Sequence, residues 1–188
     1  MKYMFLLITR IISFYLAFLA AYCLTTPFYI FLSGSVEKIH NNGLKTHEAE
    51  SVTLRVSMFF TDLYEGIKIG LVGILVTIIA LAVNFIPVAG QLLVLVLYIF
   101  YSALMFIDYP ASNRHWTLKK KINWVISHYS ISIRIGILPA IISIMPVINI
   151  ILMAIFFPLF TVYTTLNFII VENNRNKMKN ITNSAVTP

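Results

Sequence analysis

Two short stretches decide how this chain folds: Phe85-Ile86-Pro87-Val88-Ala89-Gly90-Gln91 and Ile144-Met145-Pro146-Val147-Ile148-Asn149. The first breaks the apolar run 67–107 near its middle, and the second breaks the run 129–170. A proline lacks a backbone donor and its ring clashes with the carbonyl one turn back, so a helix entering either stretch must end or kink there. Each run therefore reads as a helical hairpin tipped by a proline. Aligning Pro87 with Pro146 superimposes Ile86-Pro87-Val88 on Met145-Pro146-Val147, a weak internal repeat. Paired, interrupted apolar segments point to a transporter site at the interruptions.

Composition places the chain in lipid. Of its 188 residues 59% are apolar and only 11% charged, with a mean hydropathy of +0.86, beyond what a soluble domain of this size carries. Fourteen basic against seven acidic residues give a net charge of +7. The basic residues gather outside the apolar runs, as headgroup contact and topology control require, so membrane lipids and not nucleic acid are the expected partner of that excess. The single cysteine, Cys23, lies in an apolar helix, excludes an intrachain disulfide and reads as a small packed side chain.

The expected fold is an all-α integral membrane protein. Its parts are a transmembrane helix over 3–32, a polar connector over 33–66, hairpin 1 over 67–107, a basic loop over 108–128, hairpin 2 over 129–170 and a disordered tail over 180–188. The first segment continues bulky through Thr25-Thr26-Pro27-Phe28-Tyr29 without a small-x-small cleavage site, so it is expected to stay in the mature protein. In the connector Val52, Val56, Phe59, Leu63 and Ile67 recur at helical spacing and predict an amphipathic helix. His40, His47, Glu48 and Glu50 match the spacing of no closed metal site, so neither a metal nor a cofactor is expected. Arms of 18 and 20 residues give hairpin 1 a reach of about 27 to 30 Å, barely the ~30 Å hydrocarbon thickness. The entering arm of hairpin 2, residues 131–145, reaches roughly 22 Å, which favours partial penetration. Tight turns between two spanning helices, or tips that stop halfway and face a cavity, remain alternative readings.

Between the hairpins Asp108-Tyr109-Pro110 leads to Arg114, Trp116 and Lys119-Lys120-Lys121. This basic loop favours the cytoplasmic side, as do Arg175, Lys177 and Lys179, while Lys2 and Arg10 pull the other way. Tyr109, Trp116 and Trp124 fit interfacial anchors. Asp108 is expected to pair with Arg114 across a bend at Pro110. Arg134 lies closest to the interior of an apolar run, where it either snorkels to water, the favoured reading, or contacts an anion. No nucleophile, base and orienter form a set and no glycine loop cradles phosphate, so no enzyme is expected.

Several features occur in order: Pro27-Phe28 with Val36-Glu37-Lys38, then Ile86-Pro87-Val88-Ala89-Gly90, then Ile107-Asp108-Tyr109-Pro110 with Arg114, then Pro146-Val147-Ile148-Asn149 and Pro158. This order resembles the CysZ sulfate-permease family and the related etoposide-induced membrane proteins over roughly residues 20–170. The resemblance implies a multi-pass bacterial inner-membrane protein that admits sulfate or a related oxyanion for cysteine synthesis, as a homo-oligomer with partly penetrating hairpins. The glycine- and arginine-containing segment that members carry before the first transmembrane helix, associated with sulfate binding, has no counterpart among these residues, and no site residue is carried over from it. The anion pathway expected from the sequence comprises Pro87, Gly90, Arg114, Arg134, Pro146 and Asn149, with the amides after each proline as donors. Lys119, Lys120 and Lys121 are expected to steer anions and set topology. The alternative is a non-transporting membrane scaffold or assembly protein of the same fold.

Overall fold

Where the first proline tip interrupts the helical pattern, the backbone turns. A computed structural model of the protein describes residues 2–42, 52–145 and 148–186, and every regular element among them is an α-helix. In chain order these are α1 (Lys2–Asn42), α2 (Val52–Val83), α3 (Ala89–Ser112), α4 (Leu118–Ser127), α5 (Tyr129–Ile144) and α6 (Ile148–Val186). Among the described residues, Leu63–Val83, Ala89–Ser112 and Ile151–Met178 are long and apolar enough to cross a membrane. The first two contain 21 and 24 residues, hence about 32 and 36 Å of helix, sufficient for the hydrocarbon layer. Leu71, Leu75, Ile78, Leu92 and Val96 stay exposed on the outside of these helices, as lipid-facing side chains do.

Helix extends further than the sequence reading placed it. The 33–66 connector is largely the end of α1 and the start of α2, because nothing between Gly34 and Asn42 stops a helix. Lys45, His47, Glu48 and Glu50 lie outside the described residues, as do Pro146 and Val147. The 108–128 loop contains the last turn of α3 and all of α4. The tail is helical through Val186, with neither Gly nor Pro to end it earlier, and residues 187–188 lie outside the description.

The turn of hairpin 1 is a tight one. Val88 adopts φ 61° and ψ −60°, and the Ala89 amide donates to the Pro87 carbonyl at 2.7 Å. That is a γ-turn of the strained hand, held by a β-branched residue that disfavours positive φ. Gly90 packs directly on the Val83 carbonyl, where a Cβ would collide, so the two arms close tightly behind the turn. In hairpin 2 the Asn149 amide donates to Met145 O at 3.2 Å and its side chain to Ser143 O at 3.3 Å.

The helix α3 is the hub, packing against each of the other five helices and most extensively against α5. Gly136 of α5 makes that approach possible, since its Cα faces the Ile99 carbonyl with no room for a Cβ. An aromatic group from α1, α3 and α6 (Tyr29, Phe106, Tyr109 and Phe157) fills the centre, with Tyr29 and Phe157 centroids 4.5 Å apart. At its far end α3 closes with a Schellman turn: His115 takes φ 52°, its amide donates to Ser112 O, and the Trp116 amide donates to Ala111 O at 3.1 Å. This turn buries Trp116 against Phe168 and launches α4. At His128 the chain bends by 100° into α5, so α4 crosses the bundle end and α5 enters it.

Two substitutions test these constraints by thermal unfolding of the purified protein. Gly136→Val is expected to destabilise by about 3 kcal/mol through backbone separation of α3 and α5. Val88→Gly relieves the strained turn and is expected to raise stability by about 1 kcal/mol; a lower melting point for that variant would count against the turn geometry.

Candidate functional site: a buried ion cluster where three helices meet

Lys121 decides the site. On α4 it shares one face with Trp124 and Val125, the i, i+3, i+4 spacing that turns them together toward the bundle. Its side chain is 0% exposed. A bare ammonium in such a place is prohibitively costly unless each proton finds an acceptor. Three acceptors meet it: Asp108 Oδ1 at 2.7 Å, Ser112 Oγ at 2.9 Å and Glu65 Oε2 at 3.0 Å. Asp108 and Ser112 are one turn apart on α3 and joined by a 3.3 Å hydrogen bond. Glu65 comes from α2 and also accepts from Lys68 Nζ at 2.5 Å. The cluster thus contains two ammonium groups and two carboxylates, grading from Lys68, 32% exposed, through Glu65 at 18% to Lys121 and Asp108 at zero. Asp108 Oδ2 and the hydroxyls of Tyr22 and Tyr109 are buried with no hydrogen-bond partner among the described residues.

Two further contacts brace this end. Arg114 Nη2 donates to Glu37 Oε1 of α1 at 2.6 Å while its guanidinium lies 5.0 Å from the Phe168 ring. Trp124 Nε1 donates to Glu172 of α6 at 3.0 Å. Asp108 and Arg114 therefore do not pair with each other. The helix continues past Pro110 to Ser112, and the turn after it sends Arg114 toward α1 and returns Lys121 toward Asp108.

The expected pathway residues separate into two groups. Arg114 and Lys119, Lys120 and Lys121 lie at the end just described. Lys119 and Lys120 are exposed, with Lys120 Nζ 3.9 Å from the centroid of Trp116. Lys121 is a correction to the expected steering trio, since a fully buried, saturated ammonium presents no field to an incoming solute as a surface charge does. Pro87 and Gly90 lie at the opposite end, beyond the 18 residues of α2 that follow Glu65, roughly 27 Å along its axis. There Phe85, Ile86, Pro87 and Val88 are exposed, and the amides of Ala89, Gly90 and Leu92 already donate to Pro87, Ile86 and Val88 carbonyls. Those amides form a closed turn, not a free anion cradle. Asn149 is half-buried and braces its own tip, and Arg134 is exposed on the second turn of α5.

Glu65, Lys68 and Ser112 escaped the sequence reading. The available signal was Lys121 itself, which falls on the apolar face of α4 and so needs acid partners from elsewhere.

Lys121→Met is expected to destabilise by about 3–5 kcal/mol, because it strands the buried Asp108 carboxylate and takes one of two cations from Glu65. Lys119→Gln and Lys120→Gln should stay within about 0.5 kcal/mol of the parent. Chemical unfolding in detergent distinguishes them, and equal effects at all three lysines would sink the assignment.

Comparison with known proteins bears on the whole arrangement. The family model described as sulfate transporter CysZ/etoposide-induced protein 2.4 matches residues 1–154, which include every member of the ion cluster. No curated protein matches the chain. With most of its length matched by that model and with apolar helices long enough to cross the bilayer, the chain is a multi-pass membrane protein belonging to the CysZ/etoposide-induced protein 2.4 family.

Proposed function

We propose that the protein is a permease or channel for sulfate or a similar small oxyanion, serving sulfur assimilation and cysteine biosynthesis from a bacterial inner membrane, as a homo-oligomer. The observation that carries this reading is the graded ion cluster, which leads from the partly exposed Lys68 to the fully buried Lys121 inside an apolar bundle. Charge inside a membrane protein is costly and marks ion paths. The family's description points the same way. Exposed Lys119 and Lys120 raise the local anion concentration at that end, and the excess of basic residues there favours its facing the cytoplasm. Sulfate or a related oxyanion is then the transported partner, with Arg114 held by Glu37 as a brace for the entrance.

The test is labelled-sulfate uptake into proteoliposomes containing the full chain, with empty vesicles as the control. Protein-dependent uptake competed by unlabelled sulfate is expected. Lys119→Gln with Lys120→Gln should reduce the rate by about threefold at low ionic strength and by less at high salt, since the effect is screened. Absence of uptake by inserted, folded protein would favour the alternative, a membrane scaffold or assembly protein that binds partner helices and carries nothing.

A further inference from the structure

The Glu65 carboxylate joins two ammonium groups, accepting from Lys68 through Oε1 and from Lys121 through Oε2. Two oxygens of one anion held by two cations is also how one edge of a tetrahedral oxyanion is gripped. The surroundings of Lys121 are unequal. Asp108 and Ser112 hold it from the buried face of α3, both in the interior and one turn apart on the same helix. Glu65 is the acceptor with access to the outside, retaining 18% exposure beside the still more exposed Lys68. Its departure leaves Lys121 with both acceptors on α3 in place.

We propose that Lys68 and Lys121 form an oxyanion subsite whose resident occupant is the carboxylate of Glu65, and that an inorganic tetrahedral oxyanion binds there by displacing it. With Glu65 in place the two ammoniums are balanced by two carboxylates and all three Lys121 protons are taken, so the subsite is closed. When Glu65 swings outward the two lysines and Asp108 together carry one uncompensated positive charge, which attracts a sulfate or phosphate that bridges both ammoniums. Chloride offers a single centre and does not bridge as a carboxylate does. The proposal rests on the permease reading above and names the residues that would receive its substrate. It also assigns Glu65 the part of a competing internal anion: removing that side chain should strengthen oxyanion binding, whereas removing a purely structural ion-pair partner should only weaken the fold.

The experiment is thermal unfolding and equilibrium sulfate binding with the full-length protein in neutral, lipid-free detergent, comparing the parent with Glu65→Ala and Glu65→Gln. In chloride Glu65→Ala is expected to melt below the parent, and sulfate at matched ionic strength should restore the loss. Sulfate should bind the variant about tenfold more tightly than the parent, in keeping with the removal of a competing charge. Adding Lys68→Gln to Glu65→Ala should abolish the gain. Equal sulfate responses in parent and variant, or a gain that survives Lys68→Gln, would overturn the proposal. Should Glu65→Ala fail to fold, Glu65→Gln, which keeps the side-chain shape and removes the charge, decides by the same criterion. Short-chain phosphatidylglycerol is the second probe, because a lipid headgroup carries the same phosphate chemistry. Stabilisation of the variant by that lipid and not by sulfate would overturn an inorganic ligand. Uptake is measured separately. Sulfate binding through the two lysines without flux removes the permease reading and leaves the subsite, while flux with no sulfate binding by these variants removes the subsite and leaves the permease.

Discussion

The architecture depends on one ammonium group being satisfied in a place that excludes water. Lys121 sits where α2, α3 and α4 converge, and its three protons meet three acceptors drawn from two of those helices. Because the cost of an unmatched buried charge is several kcal/mol, the match fixes geometry that apolar contacts alone leave loose. A slip of α2 by one turn would replace Glu65 with Thr61 or Ile69, and Lys121 would lose its second carboxylate. The same demand sets the face that α4 turns inward and so the direction in which the chain leaves for α5. Gly136 then lets α5 settle against the backbone of α3.

What the sequence disclosed followed from local chemistry. A proline acts on its own turn, so the break after Val83 and the re-entry at Ala89 were readable from Pro87 and its neighbours alone. The all-helical membrane class followed from composition. Helix ends are less legible, since the polar residues after Gly34 and after Val171 read as loop or tail although none of them stops a helix. Polarity reports exposure, not the absence of helix, and long helices here extend past the apolar stretch.

The ion cluster was hidden for a different reason. Asp108 had a cation six residues away in Arg114 and another thirteen away in Lys121, and proximity along the chain favoured the nearer. The Schellman turn at His115 reverses that choice, because it sends the two basic side chains to different helices. Sequence spacing contains no term for a single residue at positive φ. Lys119, Lys120 and Lys121 likewise look equivalent in a run, yet successive helical positions lie about 100° apart, so only one of the three shares a face with Trp124 and Val125.

The form of the cluster also bears on which of the two functional readings is the stronger. A scaffold needs helices that hold together and present a surface, and apolar side chains supply that without charge; replacing a buried ion pair by well-packed apolar groups is often neutral or stabilising. Here the charges do not form an isolated pair in the middle of the bundle. They run from a partly exposed lysine, through a carboxylate that is shared, to an interior ammonium beside an aspartate with one oxygen left unpartnered among the described residues. Glu65 and Lys121 each hold two partners of opposite charge, which an isolated structural pair does not. An arrangement of that kind suits an anion that enters by competing for cations already held, and under the proposed permease reading the selective step falls at the ion cluster, some 27 Å along α2 from the proline tip of hairpin 1.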